Sequence, residues 1–382
     1  MAAASSYRSG RAPPRLFFST AQMINISTMA PVIVGHRYEV KEELGQGGMQ
    51  IVRRALDRKL DREVALKTPL TNSATKRFES SAQLSARVRH ANIASALDYF
   101  IDGSTAYFVE ELIDGIDLQN CFDHHFSRLC PDTTAKVFHN LAKGVAASHQ
   151  AGVIHRDLKP SNIMISRDLS FSMIKVTDFG IAKLAESQIE ADLKEMHNNS
   201  ATSSTLVGAL PFMAPEAVAK ATLKLPPGPK MDVWALGAIA YYLLTGKHPF
   251  GGDITAVVGI LAGAPPAVPG TQIFGGASHK IAADLWAAIL SCLKRDPEER
   301  PTAGHLVSVC AAMRYLDKPR VTVTITGKDP KTPVWFGESG NGPIALPHGE
   351  FILGSPSVGC RVSCFAFAGS PKPRGVAVMQ LR

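Results

Sequence analysis

The chain has 382 residues, 45% of them hydrophobic, and a formal net charge of +8 at neutral pH. That length holds one large domain or two ordinary ones with a sizeable core. The charge is confined to the flanks: residues 1–38 carry Arg8, Arg11, Arg15 and Arg37 and no acid, residues 317–382 carry eight Lys or Arg against four Asp or Glu, and 39–316 is balanced. A main domain without clustered positive charge is not built as a nucleic-acid surface, so no nucleic-acid partner is expected.

Residues 1–35 read as an unstructured extension. Their Arg-, Ser- and Ala-rich, acid-free composition is also that of an organellar transit peptide. A start at Met23 or Met29 would remove most of the segment. From His36 the pattern turns to short β-type runs, YEVKEEL, QIVRRAL and REVALK. RFESSAQLSARVRH (77–90) follows with the spacing of an amphipathic helix, Phe78 and Ala82 four apart and Leu84 and Val88 likewise. Strand-like sequence returns at IASALDYF and TAYFVEEL.

After Asp114 the signals are mostly helical, broken by Gly and Pro at 152, 160, 211, 215 and 226–229. The most apolar run, VWALGAIAYYLL (233–244), is too short to span a bilayer and reads as a buried helix, so no transmembrane segment is expected. Beyond Tyr315 the β character resumes: VTVTITG (321–327) alternates as a half-buried strand should, and FILG, RVSCFAF and GVAVMQL follow. The expected organisation is an extension over 1–35, an α+β bilobal domain over 36–316 (a β-rich lobe 36–113 and a mainly helical lobe 114–316), and a short β-rich appendix over 317–382. Six scattered cysteines without a C-x-x-C or a zinc-type Cys/His spacing suit free thiols in a reducing compartment, which points to the cytoplasm. Cys360 and Cys364 would share a strand face.

The residues that carry chemistry begin with LGQGGMQIV, Leu44 to Val52. A glycine-rich turn between strands lets backbone N–H groups approach phosphate oxygens, because no Cβ intervenes. VALK then places Lys67 on the next strand. A lysine in an apolar strand either meets an anion or snorkels to the surface. The second lobe holds IHRDLKPSN (154–162), KVTDFG (175–180) and FMAPE (212–216), and later DVWALG, TGKHPF and RDPEERP.

With these motifs in this order, the chain resembles the eukaryotic-type protein kinases, most closely the bacterial-type serine/threonine kinases, over roughly residues 36–316. The resemblance implies ATP and Mg²⁺ (or Mn²⁺) as cofactors and protein substrates with Ser or Thr acceptors. It makes Asp157 the acceptor of the substrate hydroxyl proton and gives Lys67 the α/β-phosphates. Asn162 and Asp178 would hold the metal. Lys159 is the residue of the serine/threonine type. The nucleotide site would comprise Leu44, Gly45, Gln46, Gly47, Gly48, Met49, Gln50, Ile51 and Val52, with Val52 and Ala65 above adenine, Met164 below it, and the Glu111 carbonyl and Ile113 amide at its edge. Glu216 and Arg300 would form a buried, structural ion pair.

The sequence also departs from the family. Counted back from His90, the helix position that carries the family's glutamate is Ser81 here, and Glu79, two residues away, lies about 200° round the helix. Glu110, just before the hinge, points to the back of the nucleotide pocket, where it either pairs with Lys67 or turns to solvent or another cation. Gln50 stands at the third glycine position, and Ala209 stands where a threonine is usual. The long segment from Asp178 to Glu216 contains Thr202, Ser203, Ser204 and Thr205. By resemblance, Arg156 would receive a phosphate placed there, on Thr202 or Thr205 first, by autophosphorylation in trans within a homodimer. A pseudokinase, which binds nucleotide or serves as a scaffold without transfer, is the alternative that Ser81, Ala209 and Gln50 raise. GPIALPHGEFILGSP (342–356) faintly resembles the opening of a sulfatase-modifying-factor type domain, but too few residues follow to build one.

Overall fold

The structure, a computed structural model, describes residues 31–46, 50–70, 75–178, 208–218, 228–253, 256–263, 266–268 and 278–382. Gly47, Gly48, Met49, Thr202, Ser203, Ser204 and Thr205 lie outside the described residues, as does the extension up to residue 30.

The small lobe is an antiparallel sheet of β1 (Ile33–Val34), β2 (Tyr38–Gln46), β3 (Gln50–Asp57), β4 (Arg62–Pro69), β5 (Ala96–Asp102) and β6 (Thr105–Glu111), in the order β1-β2-β3-β4-β6-β5. The first strand begins at Ile33, ahead of the expected boundary at residue 36, because Ile33 and Val34 pair with Glu39 and Tyr38. Strand alternation divides the apolar residues between the two faces. Val34, Tyr38, Ala55, Val64, Leu66 and Val109 cluster on one face. Ala106 and Phe108 form the other, covered by Phe78 and Ala82 of α1 (Thr75–Ser85).

The helix is shorter than the spacing over 77–90 suggested. Arg87 N bonds Leu84 O and Val88 N bonds Ser85 O, three-residue closures that tighten the chain into a turn. Val88 then joins the core of the large lobe instead of extending the helix stripe.

The large lobe opens with β7 (Gly115–Asp117) and α2 (Leu118–His124), the latter capped by the Asp117 side chain on Asn120 N at 2.8 Å. Next come α3 (Pro131–Gln150), β8 (Ile163–Ser166), β9 (Ile174–Val176), α4 (Pro215–Val218), α5 (Lys230–Thr245), α6 (Ala256–Ala262), α7 (His279–Cys292) and α8 (Ala303–Ala312). The run 233–244 lies inside α5 and is buried nearly all round, as a helix apolar on every face must be. This helix ends at Gly246, φ 73°, where a Cβ would stand 2.2 Å from Ser127 O, so only glycine fits.

Residues beyond 317 form β10 (Arg320–Lys328), β11 (Val334–Ser339), β12 (Gly342–Pro347), β13 (Phe351–Leu353), β14 (Arg361–Phe367) and β15 (Arg374–Gln380). The sheet order is β12-β11-β10-β14-β15-β13, and a parallel pairing of β12 with β15 closes it into a small barrel. Its interior holds Val323, Ile325, Ile344, Leu346, Val362, Cys364 and Val378, with Cys360 packed at the edge.

The barrel is joined to the large lobe through shared core. Phe365, Ala377, Met379 and Leu381 belong to the large-lobe cluster. The buried Arg320 guanidinium donates to Ser363 Oγ (2.9 Å), to the carbonyls of Ser363 (2.6 Å) and Ala377 (2.7 Å), and to Thr133 Oγ1 of α3 (3.2 Å). Arg382 donates through Nη1 to the carbonyls of Phe122 (3.0 Å) and Asp123 (3.1 Å) at the end of α2, where C-terminal carbonyls lack helix partners. All six cysteines are free. No helix among the described residues is long and apolar enough to cross a membrane.

Candidate active site

Lys67 and Glu110 meet through strand register. Glu110 lies opposite Ala65 across β4 and β6, and Lys67 lies opposite Phe108. Residues two apart on a strand share a face, so Lys67 and Glu110 are diagonal neighbours within reach of long side chains. Lys67 Nζ donates to Glu110 Oε2 and, at 2.7 Å, to Asp178 Oδ1. Lys67 is 4% exposed and Glu110 3%.

Burial favours loss of the Lys67 proton, but the two carboxylates outweigh it and hold the ammonium charged, above the ordinary lysine value. Burial also works against an ionised Asp178; attraction and hydrogen bonds from Lys67 and Gln50 nevertheless keep its carboxyl below the usual range. Glu110 is left raised, because burial dominates, the nearby Asp178 adds repulsion, and Lys67 offsets only part. Two acids share one cation, and Asp178 holds the stronger claim on it.

Glu79 is elsewhere: it accepts from Gln83 Nε2 at 3.5 Å and its charge bears on Tyr99 of β5. The side chain of Ser81 is outside the described residues. Gln50 opens β3 and sends Nε2 to Asp178 Oδ1 at 2.7 Å. Val52 stands opposite Lys67, with Gly45 on its other side, and Ala65 is buried on the lysine's face. Leu44, Gly45 and Gln46 are exposed at the end of β2, and Ile51, Ile113 and Met164 are half-buried. The Glu111 carboxylate takes Lys175 Nζ at 2.6 and 2.8 Å and Ser95 N at 3.2 Å, which fixes the chain between the lobes to β9.

The loop around Asp157 is anchored from below by Asp232 at the start of α5. That carboxylate is buried and accepts from His155 N (2.8 Å), Arg156 N (2.7 Å) and His149 Nε2 (2.8 Å). These bonds hold Arg156 at φ 68°, a left-handed conformation that a side chain adopts only when its surroundings impose it. Within the loop, Lys159 Nζ contacts Asp157 Oδ2 at 2.9 Å, and Asn162 Nδ2 donates to Asp157 O (2.8 Å) and Oδ2 (3.2 Å). The loop is tied to the other acid through Thr177: its N donates to Asn162 O at 2.9 Å, and its carbonyl accepts from His155 Nε2 at 3.0 Å. Asp178, next in the chain, is also left-handed, φ 62°. Asp157, Lys159, Asn162, Asp178 and Lys67 thus form one connected array between the lobes.

Arg300 and Glu216 form a bidentate pair at 2.6 and 2.8 Å, fully buried. The remaining donors of Arg300 go to the carbonyls of Lys294, Lys230 and Arg295. Ala209 is buried and carries no hydroxyl. Asp232 and His149 were not among the residues singled out by sequence; the only signal was the position of Asp232 at the head of DVWALG. The Gln50–Asp178 contact was equally invisible, since it joins residues 128 apart.

Among the described residues no group of three or more His, Cys, Asp or Glu is assembled as a metal cage. Asn162 and Asp178 offer oxygen donors, and Gln50 Oε1 is buried with no hydrogen-bond partner. Such a set fits a hard divalent cation that keeps phosphate and water in its other positions.

The two-lobed fold is that of the protein kinase class, and residues 38–310 match the family model for the protein kinase domain. The chain belongs to that family. It is 30% identical over 282 residues to a probable serine/threonine-protein kinase of Clostridium acetobutylicum, covering 71% of this chain and 39% of the relative. It is 30% identical to the serine/threonine-protein kinase PknB of Mycobacterium tuberculosis, covering 81% of this chain and 48% of PknB. It is 32% identical to the serine/threonine-protein kinase PkaA of Streptomyces coelicolor, covering 72% and 49%. The chain spans less than half the length of each of these relatives.

Proposed function

We propose that the chain transfers the γ-phosphoryl group of ATP to serine and threonine hydroxyls of proteins. The observation that carries this reading is the continuous array from Lys67 through Asp178 and Thr177 to Asn162, Asp157 and Lys159. On this reading the connected residues supply a base, a phosphate-binding cation and two metal donors to one cleft. Phosphoryl transfer asks for this: positioning and charge neutralisation with little covalent work by the protein. The hydroxyl oxygen bonds to the γ-phosphorus, the bond to the β-phosphate oxygen breaks, ADP leaves, and Asp157 takes the hydroxyl proton. Lys159, beside Asp157, steadies the transferred group, and Lys67 holds the α/β-phosphates.

Glu110 takes the place of the helix acid that Ser81 lacks and keeps Lys67 aimed. Asn162 and Asp178 would hold Mg²⁺ or Mn²⁺, which would supply neutralising charge to the phosphates. Leu44, Gly45, Gln46, Gly47, Gly48, Met49, Gln50, Ile51 and Val52 would contribute to the nucleotide site, with backbone groups of the glycine-rich turn offered to the phosphates. Ala65 and Val52 cover adenine over Met164, and Glu111 and Ile113 meet its edge with backbone groups. We take 36–316 as the kinase domain and 317–382 as a module without a catalytic role. The free cysteines support a cytoplasmic location. A transient homodimer would phosphorylate one or more of Thr202, Ser203, Ser204 and Thr205, with Arg156 receiving the phosphate.

Transfer of labelled phosphate from ATP to a generic protein substrate tests the reading, with Asp157→Asn as control. Transfer by the wild type and none by the variant is expected. Incorporation by neither would leave a nucleotide-binding pseudokinase, and equal incorporation by both would remove Asp157 from the transfer. Intact-mass measurement after incubation with Mg-ATP should show added phosphate within 202–205.

A further inference from the structure

Gln50 puts a side chain at the end of the glycine loop, where phosphate binding calls only for backbone. The residue is 8% exposed, and its two amide ends fare differently. Nε2 donates to Asp178 Oδ1 at 2.7 Å, whereas Oε1 is buried with no hydrogen-bond partner. A buried bare acceptor is costly, and an amide oxygen is a good ligand for a hard cation. Asp178 Oδ1 already accepts from Lys67 Nζ at 2.7 Å, so with Gln50 both of its lone pairs are engaged by donors. A cation arriving at that oxygen must displace a donor there.

For Gln50 the displacement needs only a half-turn of the amide about its last carbon–carbon bond, which exchanges Nε2 for Oε1. The site then left by Nε2 is 2.7 Å from Oδ1. Neighbouring oxygens round an octahedral cation with bonds of about 2.1 Å are about 3.0 Å apart, so little movement is required.

We infer that Gln50 Oε1 is a third protein ligand of the divalent cation, beside Asn162 and Asp178, and that the amide contact to Asp178 is its metal-free resting position. The inference rests on the reading of Asp178 as a metal residue. It links the end of the glycine loop directly to the cation, so the loop responds to the metal as well as to the nucleotide.

Mn²⁺ is the probe, titrated into the full chain saturated with a non-hydrolysable ATP analogue, with free Mn²⁺ followed by electron paramagnetic resonance. Gln50→Ala should raise the Mn²⁺ dissociation constant about tenfold, the lower end of what loss of a supporting ligand costs. Gln50→Glu, which keeps an oxygen there and adds charge, should bind at least as tightly as wild type. An unchanged constant in Gln50→Ala overturns the inference. So does a smaller one, since it would make Gln50 only a competitor for Asp178. A Gln50→Glu as weak as Gln50→Ala also overturns it. Asp178→Asn in the same titration separates the two levels. Wild-type affinity there removes the metal reading itself, and the Gln50 inference with it, whereas loss there with no effect at Gln50 removes the inference alone.

Discussion

Replacing Glu110 by Gln tests the origin of the lysine's orientation. The substitution keeps shape and one acceptor for Lys67 Nζ and removes one charge. Removing one partner of a buried pair costs about 3–5 kcal/mol, because the other charge is left uncompensated. In the nucleotide-free protein that loss is softened, since Asp178 Oδ1 stays 2.7 Å from Nζ. The raised Glu110 carboxyl is also the weaker of the two acids.

Folding stability should therefore fall by only about 2 kcal/mol, a melting shift of about 3 °C for a unit of this size. If Asp178 is engaged with a metal during turnover, as proposed above, Glu110 becomes the sole carboxylate on Lys67. The full term, about 3 kcal/mol, then applies to the transition state and lowers kcat/KM for ATP about a hundredfold. Steady-state kinetics at saturating protein substrate measure this, with Glu79→Gln as the control expected to match wild type. A Glu110→Gln enzyme within threefold of wild type would refute the reasoning, as would an equal loss in Glu79→Gln.

Three further outcomes follow from buried charges. Arg320→Ala should unbutton the barrel from α3, leaving the Ser363 and Ala377 carbonyls bare at a cost of about 3 kcal/mol; a melting temperature within one degree of wild type would count against the shared core. Glu216→Gln and Arg300→Met should each destabilise by about 3–5 kcal/mol, and the double variant should cost far less than their sum, because the second change removes the charge that the first strands. Additive losses in urea unfolding would contradict that pairing. Asp57, 1% exposed, is held below the usual carboxylate range chiefly by hydrogen bonds from Arg37. A depressed folded pKa contributes stability that is present above about pH 4 and fades as pH falls through the folded value. The stability gap between wild type and Asp57→Asn should thus close on acidification, and a gap constant from neutral to strongly acid pH would disprove it.

Loop motifs made the two-lobed fold and most of the array legible, because phosphate, metal and proton chemistry restrict residue type at fixed spacing. The pairing of Lys67 with Glu110 was only half legible. Each residue shows its strand, but the register that sets Ala65 against Glu110 is a long-range property that no local pattern encodes. In the tail, strand-like runs exposed β10, β13, β14 and β15, while β11 and β12 were missed, since VWFGES and GPIALP carry the Gly and Pro that usually argue against strand. Nor could the sequence say that Phe365 and Met379 face the large lobe while Val362 and Val378 fill the barrel. Strands buried on both faces lose the polar half of the alternation, and with it the sign of which face meets which neighbour.

The location of the acid has a consequence for how the small lobe is set. An acid on a helix orients the lysine only while that helix is docked, so the ion pair depends on helix-to-sheet packing. Glu110 instead shares the sheet with Lys67, one strand away, and the backbone ladder between β4 and β6 fixes their separation. α1 meets this face through Phe78 and Ala82 on Ala106 and Phe108, an apolar contact, and among the described residues it puts no charge on the lysine. With Glu110 as partner, Lys67 is aimed as soon as the sheet forms. On the proposed metal reading, the groups still to be rearranged by nucleotide and metal are then Asp178 and Gln50, whose bonds join β3 and β4 to the chain beyond β9. The variable part of the site thus moves from the helix to the junction between the lobes.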